Sequence, residues 1–159
     1  IVIFASGSGT NAENIIKHFK STNTGTVVSV FTNNPNAKVI ERAKNFQIPT
    51  EIFSKEELFS GKVLQKILAI APDLIVLAGF LLKLPKTIIE SYPNSIINIH
   101  PALLPKYGGK GMYGMNVHQA IVENKEKETG ITIHYVNENY DEGAIVFQNV
   151  EIISPLQKK

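Results

Sequence analysis

The sequence lacks cysteine, long apolar runs and an excess of charge of one sign. The absence of cysteine excludes disulfides, thiolate nucleophiles and cysteine-ligated metal sites, and it is typical of a reducing compartment, so we expect a cytoplasmic protein. Sixteen Lys and Arg residues against 14 Asp and Glu residues give a net charge of +2, with the signs interspersed. Because a nucleic-acid-binding surface would show a basic stripe, we expect no nucleic acid partner. Without about 18 consecutive apolar residues or a signal peptide, we expect no membrane partner either.

What the sequence has is a regular alternation of short apolar runs with helical patterns, over a length typical of one domain, residues 1–159. Strands are predicted at 1–5, 26–32, 73–79, 95–100, 131–136 and 144–153, and a weaker strand near Pro49 is predicted to end with Ile52 and Phe53. Helices are predicted at 12–20, 37–45, 55–71, 85–91 and 116–124. This alternation predicts an α/β fold, a Rossmann-like, mostly parallel sheet with helices on both faces and the late strands toward one edge. Ligands of such sheets bind outside the carboxyl ends of the strands.

A glycine-rich loop, Ser6-Gly7-Ser8-Gly9-Thr10-Asn11, connects the first predicted strand to the first helix. Glycines let the backbone approach an anion closely and a helix N-terminus offers free N–H groups, so the loop is a candidate phosphate site. Ser6, Ser8, Thr10 and Asn11 would add side-chain donors. An ordinary tight turn with a Thr or Asn cap explains the same residues without a ligand. No dinucleotide site is predicted, because Ala12 stands where a third glycine is needed and the second strand ends without an acid.

Asn98 and His100 lie two residues apart on the predicted strand at 95–100, which places both side chains on one face. An asparagine N–H can stabilise a developing oxyanion, and a histidine can supply a proton or a second donor. Hydrogen bonds to the following loop explain the pair equally well, so spacing alone leaves the choice open. Asp141 lies in a polar turn, where an acid near a glycine is a common turn former. A carboxylate next to an imidazole favours the protonated ring, so pairing with His100 would give Asp141 a catalytic role.

The other three histidines are weaker candidates. His18 lies among lysines on a helix that we expect to face solvent, and His118 lies on the helix after the second glycine-rich stretch. His134 shares the face of Thr132 on a late strand, which makes it an alternative residue for the wall of a cleft. No HExxH pattern or other tight spacing of histidines and carboxylates is present, so we expect no metal.

The segment Ile97-Asn98-Ile99-His100-Pro101-Ala102-Leu103-Leu104-Pro105 resembles the N-x-H-P-x-L-L-P signature of the folate-dependent formyltransferases. The strand at 73–80 is similar to the one that precedes the folate pocket in that family. Residues 139–143 are similar to the loop that carries the family's aspartate. The loop at 6–11 resembles the phosphate loop of those members whose substrate carries a ribose 5-phosphate. These four motifs occur in the family's order and cover essentially the whole chain.

The resemblance implies transfer of a formyl group from 10-formyltetrahydrofolate, as co-substrate, to the amine of glycinamide ribonucleotide in de novo purine biosynthesis. It implies that Asn98 and His100 stabilise the oxyanion, while Asp141 holds His100 charged and assists proton movement. The residues implied to bind the substrate phosphate are Gly9, Thr10 and Asn11. Those implied to bind the folate are Lys55, Leu81, Leu82, Lys83, Leu84, Asn98, Glu138, Asn139, Tyr140 and Asp141. The partners are therefore the ribonucleotide and a reduced folate, for a monomer or a homodimer.

The resemblance also implies three features of the backbone. One is a cis peptide bond at Leu104–Pro105. Another is a C-terminal region beyond the last strand, with a helix and a further carboxylate that contacts the substrate. Since this sequence ends with Ser154 to Lys159, we expect the single domain 1–159 to lack that segment. The third is the loop at 106–115, which is longer than in the shortest family versions and is a candidate lid.

Three alternatives remain at this point. A formyltetrahydrofolate hydrolase of the same fold would use Asn98, His100 and Asp141 but would not need the phosphate loop. A relative that formylates methionyl-tRNA would need an additional RNA-binding domain and a basic surface, which the sequence does not show. A non-catalytic phosphate-binding module would leave Asn98 and His100 as packing residues at a strand end.

Overall fold

The computed structural model describes residues 1–153, which form seven strands and six helices. In chain order these are β1 (Val2–Phe4), α1 (Thr10–Thr22), β2 (Ser29–Thr32), α2 (Val39–Asn45), β3 (Thr50–Ile52), α3 (Lys55–Ser60), α4 (Lys62–Ile70), β4 (Ile75–Ala78), α5 (Lys86–Ser91), β5 (Ile96–His100), α6 (Met115–Glu123), β6 (Glu128–Tyr135) and β7 (Ile145–Ile152). None of the helices in this part of the chain is long and apolar enough to cross a membrane.

The strands are hydrogen-bonded in the order β3-β2-β1-β4-β5-β6-β7. β1 pairs in parallel with β2 and β4, and β2 pairs in parallel with β3. β6 and β7 pair antiparallel at one end of this order. The predicted α/β fold, a Rossmann-like and mostly parallel sheet with its late strands toward one edge, is confirmed.

The described residues form two compact units, 1–97 and the residues from 98 onward, with the boundary inside β5. The expectation of one domain over 1–159 stays a prediction. The expected lack of the family's C-terminal segment stays a prediction too, because the residues on which it rests, 154–159, lie outside the described residues.

The core of the first unit contains the strands β1, β2 and β4, whose side chains are all buried. Parallel strands buried on both faces have near-continuous apolar sequences, which is the pattern these segments show. The ring of Phe4 stacks on that of Phe31 at a centroid distance of 5.1 Å and meets the ring of Phe80 edge-on at 5.2 Å. This aromatic cluster supports the segment that follows β4, where the predicted folate residues begin.

The predicted helix at 55–71 is wrong, because the structure has two shorter helices, α3 and α4, over this segment. Gly61 separates them with a φ of 98°, a left-handed conformation that glycine adopts without steric penalty and that ends α3. The apolar spacing continues past Gly61, and a prediction from periodicity alone therefore gives one helix where the structure has two. Ser54 caps α3 by accepting a hydrogen bond from the Glu57 N–H at 3.1 Å, which makes Lys55 the first residue of this helix.

In the second unit, a hydrogen-bond network around the buried Thr132 hydroxyl fixes the loop that follows β5. The hydroxyl of Thr132, a fully buried residue of β6, donates to the Ala102 carbonyl at 2.7 Å and accepts from the Leu104 N–H at 3.0 Å. The Gln148 amide on β7 donates to the same hydroxyl at 3.0 Å and to the Leu104 carbonyl at 2.9 Å. β6 and β7 therefore hold the segment that leads away from the candidate catalytic strand.

Replacing Thr132 by valine tests this network. The variant keeps the shape of the side chain but leaves the buried Leu104 N–H and one Gln148 donor without a partner, so we expect the free energy of unfolding to fall by about 1–3 kcal/mol. Urea denaturation at neutral pH measures this change. Thr129→Val is the matched control, because Thr129 lies on the same strand and takes no part in the network. Equal losses in the two variants would contradict the role of the network.

Candidate active site

β5 presents Asn98 and His100 near its carboxyl end, at the spacing of two that puts them on one face. His100 is buried, with 3% of its surface exposed, and Asn98 is half-buried. Both belong to the second unit, as does Asp141. Among the described residues, every buried side-chain nitrogen and oxygen has a hydrogen-bond partner. The polar groups at this strand end are therefore satisfied by identifiable neighbours.

The two ring nitrogens of His100 face two different acceptors. Nε2 lies 2.7 Å from the Tyr107 carbonyl oxygen, and Nδ1 lies 3.4 Å from Oδ1 of Asp141. A carbonyl oxygen only accepts, and so does an ionised carboxylate. A ring that carries hydrogen on both nitrogens satisfies both neighbours at once, and we assign the hydrogens on this basis. The structure thus brings His100 and Asp141 together, as the sequence predicted.

The Asp141 side chain is held from three sides. Its Oδ2 accepts a hydrogen bond from the Gly109 N–H at 2.9 Å, and its Oδ1 lies 3.4 Å from His100 and 3.6 Å from Nε2 of His134. The backbone of Asp141 is left-handed, with a φ of 56°, a conformation that aspartate tolerates better than most residues. Burial by itself would raise the pKa of Asp141, but the contact with His134, the hydrogen bond from the Gly109 N–H and the positive charge on the His100 ring together lower it. Asp141 is therefore a carboxylate at neutral pH.

His134 is a residue of this cluster that the predicted site residues did not include. It is buried, its Nδ1 donates to the Tyr135 carbonyl at 2.9 Å, and its Nε2 lies 3.0 Å from Nδ2 of Asn98. With hydrogen on Nδ1, a neutral ring accepts from the Asn98 amide and fixes its orientation. The shared face with Thr132 was the only signal in the sequence, and it suggested a wall residue rather than a partner of Asn98.

The first residues of the predicted lid, 106–115, contact the site directly. The Tyr107 carbonyl accepts from His100, and the Gly109 N–H donates to Asp141. The Tyr107 hydroxyl donates to the Glu126 carboxylate at 2.8 Å, which fixes the side chain of the same residue. This segment is therefore part of the site in the described structure, and a closing motion of the loop stays a prediction.

A cavity of about 380 Å³ opens beside Asp141. Its walls come from the segment around Leu104–Pro105, whose peptide bond is cis as predicted, and from residues 140–143. The volume lies in the range of sites for small molecules. Asp141 forms part of the wall, so a molecule in the cavity lies next to the residue that pairs with His100.

The predicted phosphate loop lies in the first unit, at the N-terminus of α1. Gly9 precedes the helix with a φ of 73°, and a Cβ atom there would lie 2.5 Å from the Val39 side chain, so only glycine fits. Thr10 and Asn11 form the first helical turn, where the N–H groups have no partner within the helix. Both residues are exposed, which is compatible with the predicted phosphate site.

Ser6 does not add a side-chain donor to the phosphate loop, so this expectation is wrong. Ser6 is buried, and its hydroxyl donates to Oδ1 of Asn33 at 2.6 Å and accepts from the Leu81 N–H at 3.0 Å. It therefore joins the segments that follow β1, β2 and β4. Its hydroxyl anchors the first residue of the predicted folate segment 81–84.

The predicted folate residues occur in both units of the chain. Leu81, Leu82, Lys83 and Leu84 follow β4 in the first unit, and Lys55 is the exposed first residue of α3. Glu138, Asn139 and Tyr140 precede Asp141 in the second unit, and Tyr140 borders the cavity. The folate role of these residues stays a prediction.

The remaining histidines lie outside the cluster. His18 on α1 and His118 on α6 are exposed, as the sequence indicated for His18. Within residues 1–153, no three or more histidines and carboxylates are arranged as ligands for a metal ion.

The lowered pKa of Asp141 predicts how stability depends on pH. A carboxyl group whose pKa is lower in the folded than in the unfolded state stabilises the fold above the unfolded value and loses this contribution as the pH falls through the folded value. We therefore expect Asp141→Asn to be less stable than the parent chain near neutral pH, with a difference that shrinks below about pH 4, the ordinary range of aspartate. Urea denaturation at a series of pH values measures this difference. Glu142→Gln, at an exposed neighbouring position, is the control, and a pH-independent difference for Asp141→Asn would contradict the interpretation.

The model of the formyl transferase family matches residues 1–158 of the chain. Phosphoribosylglycinamide formyltransferase of Escherichia coli is 35% identical over 93% of this chain and 70% of its own length. The chloroplastic protein of that name from Arabidopsis thaliana is 36% identical over 94% of this chain, which spans about half, 53%, of the plant protein. The crystal structure of phosphoribosylglycinamide formyltransferase from Bacillus halodurans is 36% identical, with a TM-score of 0.86 over 97% of this chain and 80% of that one. The chain belongs to the formyl transferase family.

Proposed function

We propose that the chain transfers the formyl group of 10-formyltetrahydrofolate to the primary amine of glycinamide ribonucleotide, a step of de novo purine biosynthesis. The observation that carries the proposal is the cluster of Asn98, His100 and Asp141 at the end of β5, in a chain of this family. Relatives named phosphoribosylglycinamide formyltransferase in bacteria and plants support the choice of substrate.

In the proposed reaction, the amine nitrogen forms a bond to the formyl carbon, and the bond from that carbon to the folate nitrogen breaks. The amine loses one proton and the departing folate nitrogen gains one, so no oxidant or further reactant is needed. Negative charge develops on the formyl oxygen during the attack, and groups fixed in advance stabilise it. Asn98 supplies an amide N–H, since its contact with His134 uses only one of its two amide hydrogens.

His100 supplies positive charge near the developing oxyanion. Both of its ring nitrogens are engaged in the described structure, by Tyr107 and by Asp141, so its contribution is the charge of the protonated ring rather than a free N–H. Asp141 keeps that ring in place and compensates its charge. The lowered pKa of Asp141 makes it a weak base, so we assign it an electrostatic role and only an assisting one in proton movement.

The binding roles belong to the same proposal. The N–H groups of Gly9, Thr10 and Asn11 would hold the ribonucleotide phosphate, and the folate contacts remain those proposed for Lys55 and for the segments 81–84 and 138–141. A glycine-rich phosphate loop supports a ribonucleotide acceptor, whereas a hydrolase has no use for one. The cytoplasm and a monomeric or homodimeric state stay predictions, and two plant relatives are named chloroplastic.

To test this function, the chain is incubated with 10-formyltetrahydrofolate in the presence and in the absence of glycinamide ribonucleotide, and the release of tetrahydrofolate is measured. We expect turnover that requires the ribonucleotide, with the formyl group recovered on its amine. Equal turnover in water alone would identify a hydrolase and contradict the proposal. Phosphate binding without any turnover would instead indicate a non-catalytic module.

Alanine variants test the two residues of β5. We expect Asn98→Ala and His100→Ala each to lower kcat by about 10²–10³, the effect of removing a group that stabilises an oxyanion. His118→Ala is the matched control, because His118 is exposed on α6 and lies outside the cluster. Steady-state kinetics measure the change, and circular dichroism checks that each variant is folded. Unchanged rates in folded Asn98 and His100 variants would remove both residues from the mechanism.

A further inference from the structure

The helix α2 contacts the glycine-rich loop through two successive loop carbonyls. The Val39 N–H donates to the Gly7 carbonyl at 3.2 Å, and Nε of Arg42 donates to the Ser8 carbonyl at 2.6 Å. The side chain of Val39 also lies against Gly9, where a Cβ atom would have no room. The loop is therefore held by α2 over three consecutive residues.

These contacts determine where the loop N–H groups point. A trans peptide unit is planar, with its C=O and N–H on opposite sides. Because the Gly7 and Ser8 carbonyls point toward α2, the N–H groups of Ser8 and Gly9 point away from it. Gly7 and Ser8 are exposed, and so is Thr10 in the first turn of α1, while Gly9 between them is buried. The loop thus offers N–H groups on the side away from α2, next to those of a helix N-terminus, which is the arrangement that binds an anion.

A second hydrogen bond, to Glu13, fixes the orientation of the Arg42 guanidinium group that donates to the Ser8 carbonyl. Its Nη1 donates to Oε2 of Glu13 on α1 at 2.6 Å, while Nε donates to Ser8. The guanidinium group presents these donors in a rigid fork, which a lysine with a single nitrogen does not reproduce. About a third of the Arg42 side chain, 32%, is exposed, and Arg42 is not among the buried residues of the core.

We propose that Arg42 is a positioning residue for phosphate binding, which holds the Ser8 carbonyl so that the N–H groups of the loop face the ribonucleotide phosphate. The inference rests on the proposed function, because it concerns the same loop. Arg42 acts through the backbone, and its charge is compensated by Glu13. Loss of this contact weakens the binding of phosphate and leaves the chemistry at the formyl group unchanged.

The chain provides a matched control at Lys17. Lys17 pairs with the same carboxylate, at 2.8 Å from Oε1 of Glu13, but it is on α1 and donates nothing to the loop. Lys17→Met and Arg42→Met each remove one positive charge next to Glu13, and only the second removes the bond to Ser8. Arg42→Lys keeps the charge and removes the fork. The three variants therefore separate positioning from charge.

The first measurement is steady-state kinetics with each substrate varied in turn. For Arg42→Met and Arg42→Lys we expect KM for the ribonucleotide to rise about tenfold, the size expected for losing a hydrogen bond from a charged donor. We expect kcat and KM for the folate to stay unchanged, and Lys17→Met to behave as the parent chain. An unchanged KM in Arg42→Lys together with a raised one in Arg42→Met would show that charge alone matters and would overturn the proposal. A lower kcat together with a higher KM for both substrates would also overturn the proposal, since this pattern indicates general damage to the fold.

A second measurement does not depend on turnover. Titration with inorganic phosphate, followed by the amide NMR signals of Ser8, Gly9 and Thr10, should give binding that both Arg42 variants weaken about tenfold and that Lys17→Met leaves unchanged. If this pattern appears in a chain without formyl transfer, the proposed function fails and the role of Arg42 stands. If formyl transfer is intact and the Arg42 variants bind phosphate like the parent chain, the role of Arg42 fails alone. Absence of phosphate binding at these amides in the parent chain would overturn the positioning role as well.

Discussion

The Asp141 carboxylate is the group on which the candidate site of the second unit depends. Only 9% of its side chain is exposed, and its two oxygens contact His100 and His134 and the Gly109 N–H. A buried carboxylate without such partners would be strongly destabilising. The turn can therefore place Asp141 at this position only when β5, β6 and the segment after the cis peptide bond have come together around it. The contacts that position the two histidines are therefore the same contacts that allow this unit to bury the carboxylate.

The proposed phosphate loop of the first unit would bind its anion with backbone groups instead of side-chain charge. Val39 and Arg42 donate to two carbonyls of the glycine-rich loop, and in the proposal the N–H groups on the opposite side are the donors to the phosphate. Arg42, which contacts the loop, is paired with the Glu13 carboxylate, and Lys17 contacts the other oxygen of the same carboxylate. Such a loop adds nothing to the net charge. For this reason the small net charge of the chain argues against a large surface that binds a polyanion, but it does not bear on a site for a single phosphate group.

Local pattern predicted part of the structure, and the family resemblance implied the pairing of His100 with Asp141 and the cis bond at Leu104–Pro105. The alternation of strands and helices predicts the sheet, and the spacing of two predicts the shared face of Asn98 and His100. The apolar pattern did not predict the helix break at Gly61, because apolar spacing carries no information on the backbone angle of a glycine. The contact between His134 and Asn98 joins residues 36 apart, and that between Arg42 and Ser8 joins residues 34 apart. Such pairs are decided by packing, which no local pattern contains.

One carboxylate faces two imidazole rings in the second unit, and a single negative charge compensates only one positive ring. His100 has a carbonyl oxygen at Nε2 and the carboxylate at Nδ1, so only the protonated ring satisfies both. His134 has an alternative at Nε2, the Asn98 amide at 3.0 Å, which is closer than Asp141 at 3.6 Å and suits a neutral ring. We infer that the charge resides on His100 and that His134 is neutral. In the proposed reaction the neutral His134 would orient the amide of Asn98 and the charged His100 would stabilise the oxyanion, so the single carboxylate would determine which histidine has which role.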